Sequence, residues 1–328
     1  LLKEPINLYE WLSHLSGGFS EPYTFGERMA IWGKENYKRF DVVHDNQTLA
    51  YGLIKLRDMG VPVVGTIHHP ITMDKRIDIK HAETLSLKLL KWRWYSFLKM
   101  QIKVARKLDP IIVVSENTRK DVVKDFKIDP KKTRKVLHGI DHKTFEPIPS
   151  IERKKNQLIT TASADVPLKG LIYLIRAYSE LLNEFPDLSL VVIGKLRDGP
   201  TSNELDKKDI KNKVKFISDL TSREIAELYA ESTIAISPSV YEGFGFPAGE
   251  AMSCGIPLIS TNGGSLPEVV GNSGIIVPHS NPNELRKAIK ELLLSPEKRK
   301  ELGEKGRKRV LEKFTWKRAA KELSLIHI

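Results

Sequence analysis

Short apolar runs alternate with amphipathic segments along the second half of the chain. The apolar runs are rich in Val and Ile and show little period-2 alternation, which is typical of strands buried on both faces. Strands and helices that follow one another at this spacing predict a parallel, doubly wound sheet. The predicted strands are Gln157–Thr161, Leu188–Ile193, Val214–Ile217, Thr233–Ser237, Leu258–Ser260 and Gly274–Val277, and the predicted helices are Lys169–Glu184, Ser222–Ala230, Pro247–Ser253, Leu266–Val270 and Asn283–Leu294.

The first half shows the same alternation with fewer units. Residues 136–141 precede two prolines, Pro147 and Pro149, and this is where we expect the chain to cross between domains. The pattern therefore predicts one domain over residues 1–147 and a second over 148–328. The predicted strands of the first domain are Asp41–His44, Val61–Ile67 and Pro110–Val114, and its predicted helices are Thr48–Met59, Leu85–Leu108 and Thr118–Phe126.

Composition places the chain among soluble globular proteins. Its 328 residues are 41% hydrophobic and 29% charged, and no run approaches the roughly 20 apolar residues of a membrane-spanning helix. The one cysteine, Cys254, cannot form an internal disulfide, which suits a reducing compartment, and we expect a cytoplasmic location. The net charge of +12 is uneven, since residues 1–150 hold 26 Lys and Arg against 18 Asp and Glu.

A glycine-interrupted loop, residues 242–246, separates the strand ending at Ser237 from the helix beginning at Pro247. A proline at the first helical position and Gly255 after the last are typical of a helix start and stop. Such a junction offers backbone N–H groups and the positive end of a helix to a phosphate or a sugar hydroxyl.

Two carboxylates, Glu242 and Glu250, lie eight positions apart around this loop, so both can face one crevice. A carboxylate accepts two hydrogen bonds, which matches a vicinal diol of ribose or hexose. Alternatively, Glu250 complements the helix dipole and Glu242 is a solvated loop residue. Spacing alone leaves both interpretations open.

The sequence around this pair resembles the E-x7-E motif of the retaining family 4 glycosyltransferases, which have the GT-B fold. Ser237-Pro-Ser precedes the pair, Glu250-Ala-Met-Ser-Cys-Gly-Ile-Pro257 follows it, and Gly263-Gly264-Ser-Leu-Pro-Glu268-Val comes next. The resemblance extends over about residues 160–316. It implies a GT-B fold: two Rossmann-like doubly wound parallel-sheet domains facing a cleft, with an acceptor-side first domain and a nucleotide-sugar-binding second domain.

The resemblance also implies a role for each residue of the loop. Glu250 is expected to hold the ribose diol, and Glu242 to contact hydroxyls of the donor sugar as a catalytic residue. The amides of Gly243, Phe244 and Gly245 are expected to line sugar and phosphate. The donor is then a nucleoside-diphosphate sugar, with no further cofactor and no metal.

A phosphate clamp is expected at the turn after the first strand of the second domain. The turn resembles the family's G-R-x-x-x-x-K-G, and Lys169 stands at the lysine position. Ser163 stands where the arginine belongs, which removes one cation from the clamp. Either Lys195 or Arg197 compensates, or the diphosphate relies on backbone N–H groups.

Histidines follow two strands of the first half. His68 and His69 come directly after a predicted strand, and His44 and Asp45 end the preceding one, at the edge where open α/β sheets bind ligands. A zinc site and purely structural histidines are alternatives. The resemblance implies instead that His68 is the active-site histidine and that His44, Asp45 and His69 lie on the acceptor side.

The predicted helix 85–108 combines basic and aromatic residues. Such a segment fits an anionic membrane surface or lipid acceptor, nucleic-acid phosphates, or a structural helix with snorkelling lysines. We expect a peripheral position at the inner face of the membrane and no nucleic-acid partner. Its residues are Lys88, Lys91, Arg93, Lys99, Lys103, Arg106 and Lys107, with Trp92, Trp94, Tyr95 and Phe97.

The expected activity is transfer of a hexose from a nucleoside-diphosphate sugar to a lipid or glycan acceptor, with the retention that the resemblance implies. A catalytically weak or dead sugar-nucleotide binder and a GT-B nucleotide-sugar epimerase are the alternatives. Members of the family usually open with a strand and a Gly-Gly-rich loop, whereas Ser16-Gly17-Gly18-Phe19 has no predicted strand before it. We therefore expect an amino-terminally truncated chain with an incomplete first domain.

Overall fold

The computed structural model describes residues 4–162 and 166–327. The chain divides into two compact units, Leu1–Val136 with Glu322–Ile328, and Leu137–Lys321. Each unit is built around one sheet, and every strand pairing in the described residues is parallel. The predicted α/β class is confirmed.

The first unit has a four-stranded sheet in the order β1-β2-β3-β4. Apolar side chains of α3, α6 and α7 form its core together with the strands. The strands are β1 (Val43–Asn46), β2 (Val63–Ile67), β3 (Ile111–Val113) and β4 (Thr133–Lys135), and the helices are α1 (Pro5–Leu15), α2 (Glu21–Asn36), α3 (Tyr51–Asp58), α4 (Thr72–His81), α5 (Leu85–Trp94), α6 (Leu98–Ala105) and α7 (Glu116–Phe126).

The prediction of one helix over residues 85–108 is wrong, because a 3-10 turn at Tyr95–Phe97 separates α5 from α6. Tyr95 and Phe97 are both buried in one cluster, where Phe97 packs edge-to-face on Phe19 with ring centroids 5.3 Å apart. In a continuous α-helix, residues two apart point about 200° away from each other. Burying both rings in the same place therefore requires the helix to break.

The second unit has a six-stranded sheet in the order β10-β9-β8-β5-β6-β7. Its strands are buried on both faces: Leu158 belongs to the main core, whereas its neighbour Ile159 is equally buried but faces the other side. The strands are β5 (Gln157–Thr161), β6 (Ser189–Ile193), β7 (Val214–Ile217), β8 (Ile234–Ser237), β9 (Leu258–Thr261) and β10 (Ile275–Val277).

Helices of the second unit form two groups by their contacts. In one group α8 packs on α9 and α13, and in the other α11 packs on α10, α12 and α14. None of the helices within the described residues is long and apolar enough to span a membrane. The helices are α8 (Leu171–Leu181), α9 (Pro200–Lys207), α10 (Ser222–Glu231), α11 (Phe246–Ser253), α12 (Leu266–Val270), α13 (Pro282–Leu294), α14 (Pro296–Lys313) and the first half of α15 (Trp316–His327), whose residues from Glu322 on belong to the first unit, although the predicted domain boundary assigns them to the second.

Strand order reverses between β5 and β8. The chain starts the sheet at β5, adds β6 and β7 on one side, and returns to place β8 on the other side of β5. In open α/β sheets the loops at such a switch point diverge and leave a crevice at the carboxyl ends of the strands. The loops after β5 and β8 are therefore the ones that can hold a ligand.

Residues 137–147 belong to the second unit, although the predicted domain boundary assigns them to the first. The backbone N–H of Ile140 donates to the carbonyl of Phe314 at 2.7 Å, and Ser253 donates to the carbonyl of Phe145 at 2.5 Å. Gly249 leaves room for Ile140, since a Cβ at Gly249 would lie 2.6 Å from Ile140 Cδ1. These bonds and contacts tie the segment to α11 and to the end of α14.

We expect Tyr178→Phe to destabilise the second unit by about 1–2 kcal/mol. The buried Tyr178 hydroxyl lies 2.8 Å from the carbonyl of Leu188 and 3.0 Å from that of Lys213, and the substitution leaves both without this donor. Urea unfolding of the full chain measures the change. Tyr173→Phe on the same helix is the matched control, because its hydroxyl makes no hydrogen bond within the described residues; equal losses in both variants would contradict the assignment.

Candidate functional site

The loops after β5 and β8 are joined by their backbones. The N–H of Val240 donates to the carbonyl of Leu168 at 2.8 Å. Gly170 has φ +63°, and a Cβ there would lie 2.2 Å from the carbonyl oxygen of Pro238. Only glycine allows this close approach of the two backbones. In the Lys169-Gly170 pair, the glycine is therefore required by the turn, and the lysine is the residue expected in the phosphate clamp.

Lys169 and Glu242 meet across these two loops. Lys169 Nζ lies 2.7 Å from Glu242 Oε1, and the Ser239 hydroxyl donates to the same oxygen at 2.8 Å. The Glu242 side chain is only 12% exposed and the Lys169 side chain 29%. Because a lysine has three N–H donors and Glu242 Oε2 accepts no hydrogen bond within residues 4–162 and 166–327, both partners keep capacity for a ligand.

A second loop holds Glu242 from its backbone side. The N–H of Ser265 donates to the carbonyl of Glu242 at 2.9 Å, and the Ser265 hydroxyl donates to the carbonyl of Gly243. Gly264, at φ +61°, would place a Cβ 2.2 Å from the Glu242 carbonyl oxygen. These contacts with the acidic loop explain why the sequence Gly263-Gly264-Ser265 occurs beside it.

Glu250 is the fifth residue of α11, one residue further into the helix than the sequence predicts, because the helix begins at Phe246. Burial raises the pKa of its carboxyl group to about 7. Within the described residues no side chain donates a hydrogen bond to it and no cation pairs with it. A carboxylate so placed is costly to ionise without a donor and is suited to accept hydroxyl groups of a ligand.

Tyr229, which was not predicted from the sequence, connects the end of β5 to the start of α11. Its hydroxyl lies 3.1 Å from Thr161 Oγ1 and 3.3 Å from the carbonyl of Pro247. Burial, and after it the nearby Glu250 carboxylate, raises the Tyr229 pKa above its usual range. Tyr229 is therefore a positioning residue for the helix that carries Glu250.

Phe244 can reach a donor only through its backbone. Its ring is 4% exposed and packs against His138, with centroids 5.3 Å apart, and Phe314, at 5.7 Å. Phe246 is 38% exposed and lies 5.1 Å from the His138 ring at a tilt of 31°. Gly245, at φ +101°, is the N-cap residue between the two phenylalanines. His138 was not predicted from the sequence, because it lies outside the motif on which the resemblance depends.

Ser163 lies outside the described residues, so its place in the clamp stays a prediction. Of the two expected substitutes, Lys195 is exposed and pairs with Asp219 at 2.9 Å. Arg197 is exposed and forms no ion pair within the described part of the chain. Both follow β6, the neighbour of β5, and therefore lie beyond the same edge of the sheet.

The histidines of the first unit are held by local hydrogen bonds. His44 lies within β1, which begins and ends two residues later than predicted, and its Nε2 is 2.7 Å from Thr66 Oγ1. His68 Nε2 is 2.5 Å from Asn46 Oδ1, and burial lowers the His68 pKa, which favours a neutral ring. His69 Nε2 lies 2.9 Å from Asp74 Oδ2.

Asp45 has a structural task in this unit. It is buried, and its carboxylate oxygens accept from the backbone N–H groups of Thr48, at 3.2 Å, and Leu49, at 3.0 Å, ahead of α3. Burial raises its pKa, and these hydrogen bonds oppose that shift. In the part of the chain that the structure describes, no three His, Cys, Asp or Glu side chains are grouped to hold a metal ion.

The basic segment 85–108 is dispersed by the fold. Lys91 pairs with Asp78 at 2.8 Å, and Arg106 donates to the carbonyl of Phe126. Within this segment, the exposed apolar side chains lie on α5, which has no buried residue. Its exposed apolar side chains are Leu85, Leu87, Leu89, Leu90, Trp92 and Trp94.

Two known families match the chain in turn. Residues 5–144 match the family described as Glycosyltransferase Family 4, and residues 143–309 match that described as Glycosyl transferases group 1. The chain is 38% identical to a MMP alpha-(1->4)-mannosyltransferase of Mycolicibacterium hassiacum, over 99% of this chain and 79% of that protein. It is 27% identical to a D-inositol 3-phosphate glycosyltransferase of Streptomyces bingchenggensis, over 89% and 67%.

Solved structures share the fold. Sucrose-phosphate synthase from Thermosynechococcus elongatus has a TM-score of 0.75 at 21% identity, covering 93% of this chain and 76% of that one. Anabaena HepE, solved with UDP and glucose, has a TM-score of 0.74 at 17% identity, covering 91% and 80%. These likenesses confirm the expected GT-B fold, with its two parallel-sheet α/β domains.

We expect the stability of the chain to fall as pH rises through the Glu250 titration. The folded-state pKa of about 7 is above the ordinary 4.5, so the folded protein retains a proton that the unfolded chain loses, and stability declines between these values. Relative to Glu250→Gln, the wild type should lose about 2 kcal/mol of unfolding free energy between pH 5 and pH 8. Denaturant unfolding at both pH values measures this, and parallel losses in the two proteins would contradict it.

Proposed function

The chain belongs to the family 4 glycosyltransferases, also described as glycosyl transferases group 1. We therefore propose that it moves a hexose from a nucleoside-diphosphate sugar to a lipid or glycan acceptor with retention of configuration. The reaction breaks the bond between the anomeric carbon and the diphosphate oxygen and forms a bond from that carbon to an acceptor oxygen. The proton of the acceptor hydroxyl passes to the leaving diphosphate.

The Glu250 carboxylate carries this proposal. It is buried enough to have a pKa near 7, and within the described residues no side chain donates a hydrogen bond to it. Two hydroxyl groups of a ribose would supply the missing hydrogen bonds and favour the ionised form. The same carboxylate in a purely structural role would be expected to have a partner in the protein.

We assign binding of the remaining parts of the sugar donor to Lys169 and Glu242. We assign Lys169 to the diphosphate, where it stabilises the charge that develops on the leaving group. Glu242 holds that lysine through Oε1 and offers Oε2 to a sugar hydroxyl. The backbone of Gly243–Gly245 and the start of α11 add N–H donors, with Ser163 as a further donor in place of the family arginine.

The similar proteins favour particular substrates. Identity of 38% to a mannosyltransferase favours mannose as the transferred hexose and a glycan as the acceptor. Anabaena HepE was solved with UDP and glucose, which supports a nucleoside diphosphate as the leaving group. His68 is assigned to the acceptor side as a neutral hydrogen-bonding ring, beside His44, Asp45 and His69 in the first unit.

A thermal-shift screen of UDP-, GDP- and ADP-sugars identifies the donor, and a transfer assay with it tests the function. Glu250→Gln should weaken donor binding at pH 8 by at least about tenfold, the equivalent of 1.4 kcal/mol. Lys169→Gln should mainly lower kcat. Glu291→Gln, a surface carboxylate on α13, is the matched control and should match the wild type.

Three outcomes of that assay would contradict the proposal. Donor binding without transfer to any acceptor, with the activity of the wild type equal to that of Lys169→Gln, would indicate a sugar-nucleotide binder. Conversion of the donor into an epimer without an acceptor would indicate an epimerase. An inverted anomeric configuration in the product, read by NMR, would contradict retention.

A lipid acceptor would require contact with a membrane surface, and α5 is the segment we assign to it. Its exposed leucines, with Lys88 among them, suit insertion at an anionic interface. We expect the protein to sediment with anionic but not with zwitterionic vesicles, and the double variant Leu85→Ser, Leu89→Ser to lose most of this binding. Leu294→Ser, similarly exposed in the second unit, is the control; binding unchanged in the double variant would contradict the role of α5.

A further inference from the structure

A large groove lies at the opposite edge of the second sheet from the donor loops. It has a volume of about 1050 Å³ and includes Asn156, Thr233 and Pro257, the residues that directly precede β5, β8 and β9. Because these strands are parallel, their amino ends share one edge, and strands of four or five residues separate the two edges by roughly 13–17 Å. The groove is therefore distinct from the candidate donor site.

The groove is strongly cationic. Seven of its lining side chains are basic and only two, Glu304 and Glu312, are acidic. Lys154 pairs with Glu231 outside the groove, and Lys308 approaches Glu312 at 3.9 Å. Within residues 4–162 and 166–327, the remaining five form no ion pair: Arg153, Lys155, Arg299, Lys300 and Arg307.

Three arginines of the groove are held in place by backbone carbonyl groups. Arg307 Nη1 donates to the carbonyls of Phe145 and Ser253, both at 2.9 Å, and Arg299 Nη1 donates to that of Leu293 at 2.9 Å. Arg153 donates to the carbonyl of Gly255 at 3.1 Å. Cations near helix carboxyl ends are favourable by themselves, and this accounts for part of their role.

Capping leaves most of this charge available. A carbonyl carries only a partial negative charge, and each guanidinium has five N–H donors. Arg299 and Arg307 use only Nη1 in these bonds, so their remaining donors keep the fork geometry that matches phosphate or carboxylate. Lys155 and Lys300 are exposed and add two further positive charges to the groove.

Apolar side chains interrupt the cations. Leu293 and Leu311 line the groove together with Pro147, Pro257 and Pro296. Such surfaces suit the carbon skeleton of a small molecule, and the groove volume is close to the upper limit of the roughly 300–1,000 Å³ typical of small-molecule pockets. A mixed lining of this kind favours a compact organic polyanion over a single inorganic ion.

We propose that this groove is a second binding site, for a small molecule that carries two or more phosphate or carboxylate groups. Arg299 and Arg307 fix the anionic groups, Lys155 and Lys300 add electrostatic attraction, and the prolines and leucines contact the apolar part. The site does not depend on the donor-site assignment, because it shares none of the residues assigned there.

Inorganic tripolyphosphate is a simple probe of the anionic subsites, titrated into the full chain by calorimetry. We expect one mole bound per chain, and at least tenfold weaker binding by Lys155→Gln, Lys300→Gln. Both lysines are exposed and unpaired within the described residues, so this double variant should keep its melting temperature. Lys287→Gln, Lys305→Gln on α13 and α14 removes the same charge outside the groove and should bind within twofold of the wild type.

Lys169→Gln distinguishes the groove from the donor loops. We expect this variant to keep the one mole of tripolyphosphate that the groove binds, because Lys169 does not line the groove. Loss of binding in Lys169→Gln with full binding in Lys155→Gln, Lys300→Gln would place the probe at the donor site and overturn the proposal. Equal weakening in the groove and control double variants would show general charge attraction and would overturn it as well.

Discussion

Parallel pairing of β5 with β8 is the constraint on which the candidate site depends. This pairing sets Leu158 opposite Ile234 and brings the two following turns to the same edge of the sheet, although more than seventy residues separate them along the chain. The bond from Val240 to Leu168 then locks the turns together. Once they are joined, Lys169 and Glu242 can meet only at this edge, and the glycines beside them are needed because the backbones approach so closely.

The site combines one satisfied carboxylate with one unsatisfied carboxylate. Glu242 is compensated by Lys169 and Ser239, so its burial costs little and its position is defined before a ligand arrives. Glu250 is buried without such compensation, which costs stability at neutral pH and leaves binding capacity for a ligand. Fixing the lysine in advance also reduces the side-chain entropy lost on binding.

The two edges of the second sheet have different chemistry. At the carboxyl edge, Glu242, Glu250 and Lys169 lie in or beside loops rich in glycine, whereas arginines at the amino edge cap the ends of α11 and α13. Helix α11 runs from the acidic loop at Gly245 to Cys254 in the cationic groove. The difference follows from the helix dipole: helices that follow parallel strands present N–H groups at one edge and carbonyl groups at the other.

Much of the second unit is determined by local sequence. The strands Gln157–Thr161 and Val214–Ile217 and the helix Leu266–Val270 have the predicted bounds, because buried apolar runs between turn residues leave little freedom in a parallel sheet. The acidic motif, Lys169 and the glycines were also identified from the chain alone. The family membership expected from their spacing and residue types is confirmed.

Tertiary structure decided the features that depend on contacts between residues distant in sequence. It broke the segment 85–108, because Tyr95 and Phe97 share one buried cluster, and it assigned residues 137–147 to the second unit through bonds to Ser253 and Phe314. It identified Tyr229 and Ser239 as positioning residues, and it brought together the groove cations from segments more than a hundred residues apart. Local patterns report propensity and periodicity, whereas burial, ion pairing and pKa depend on neighbours that only the folded chain supplies.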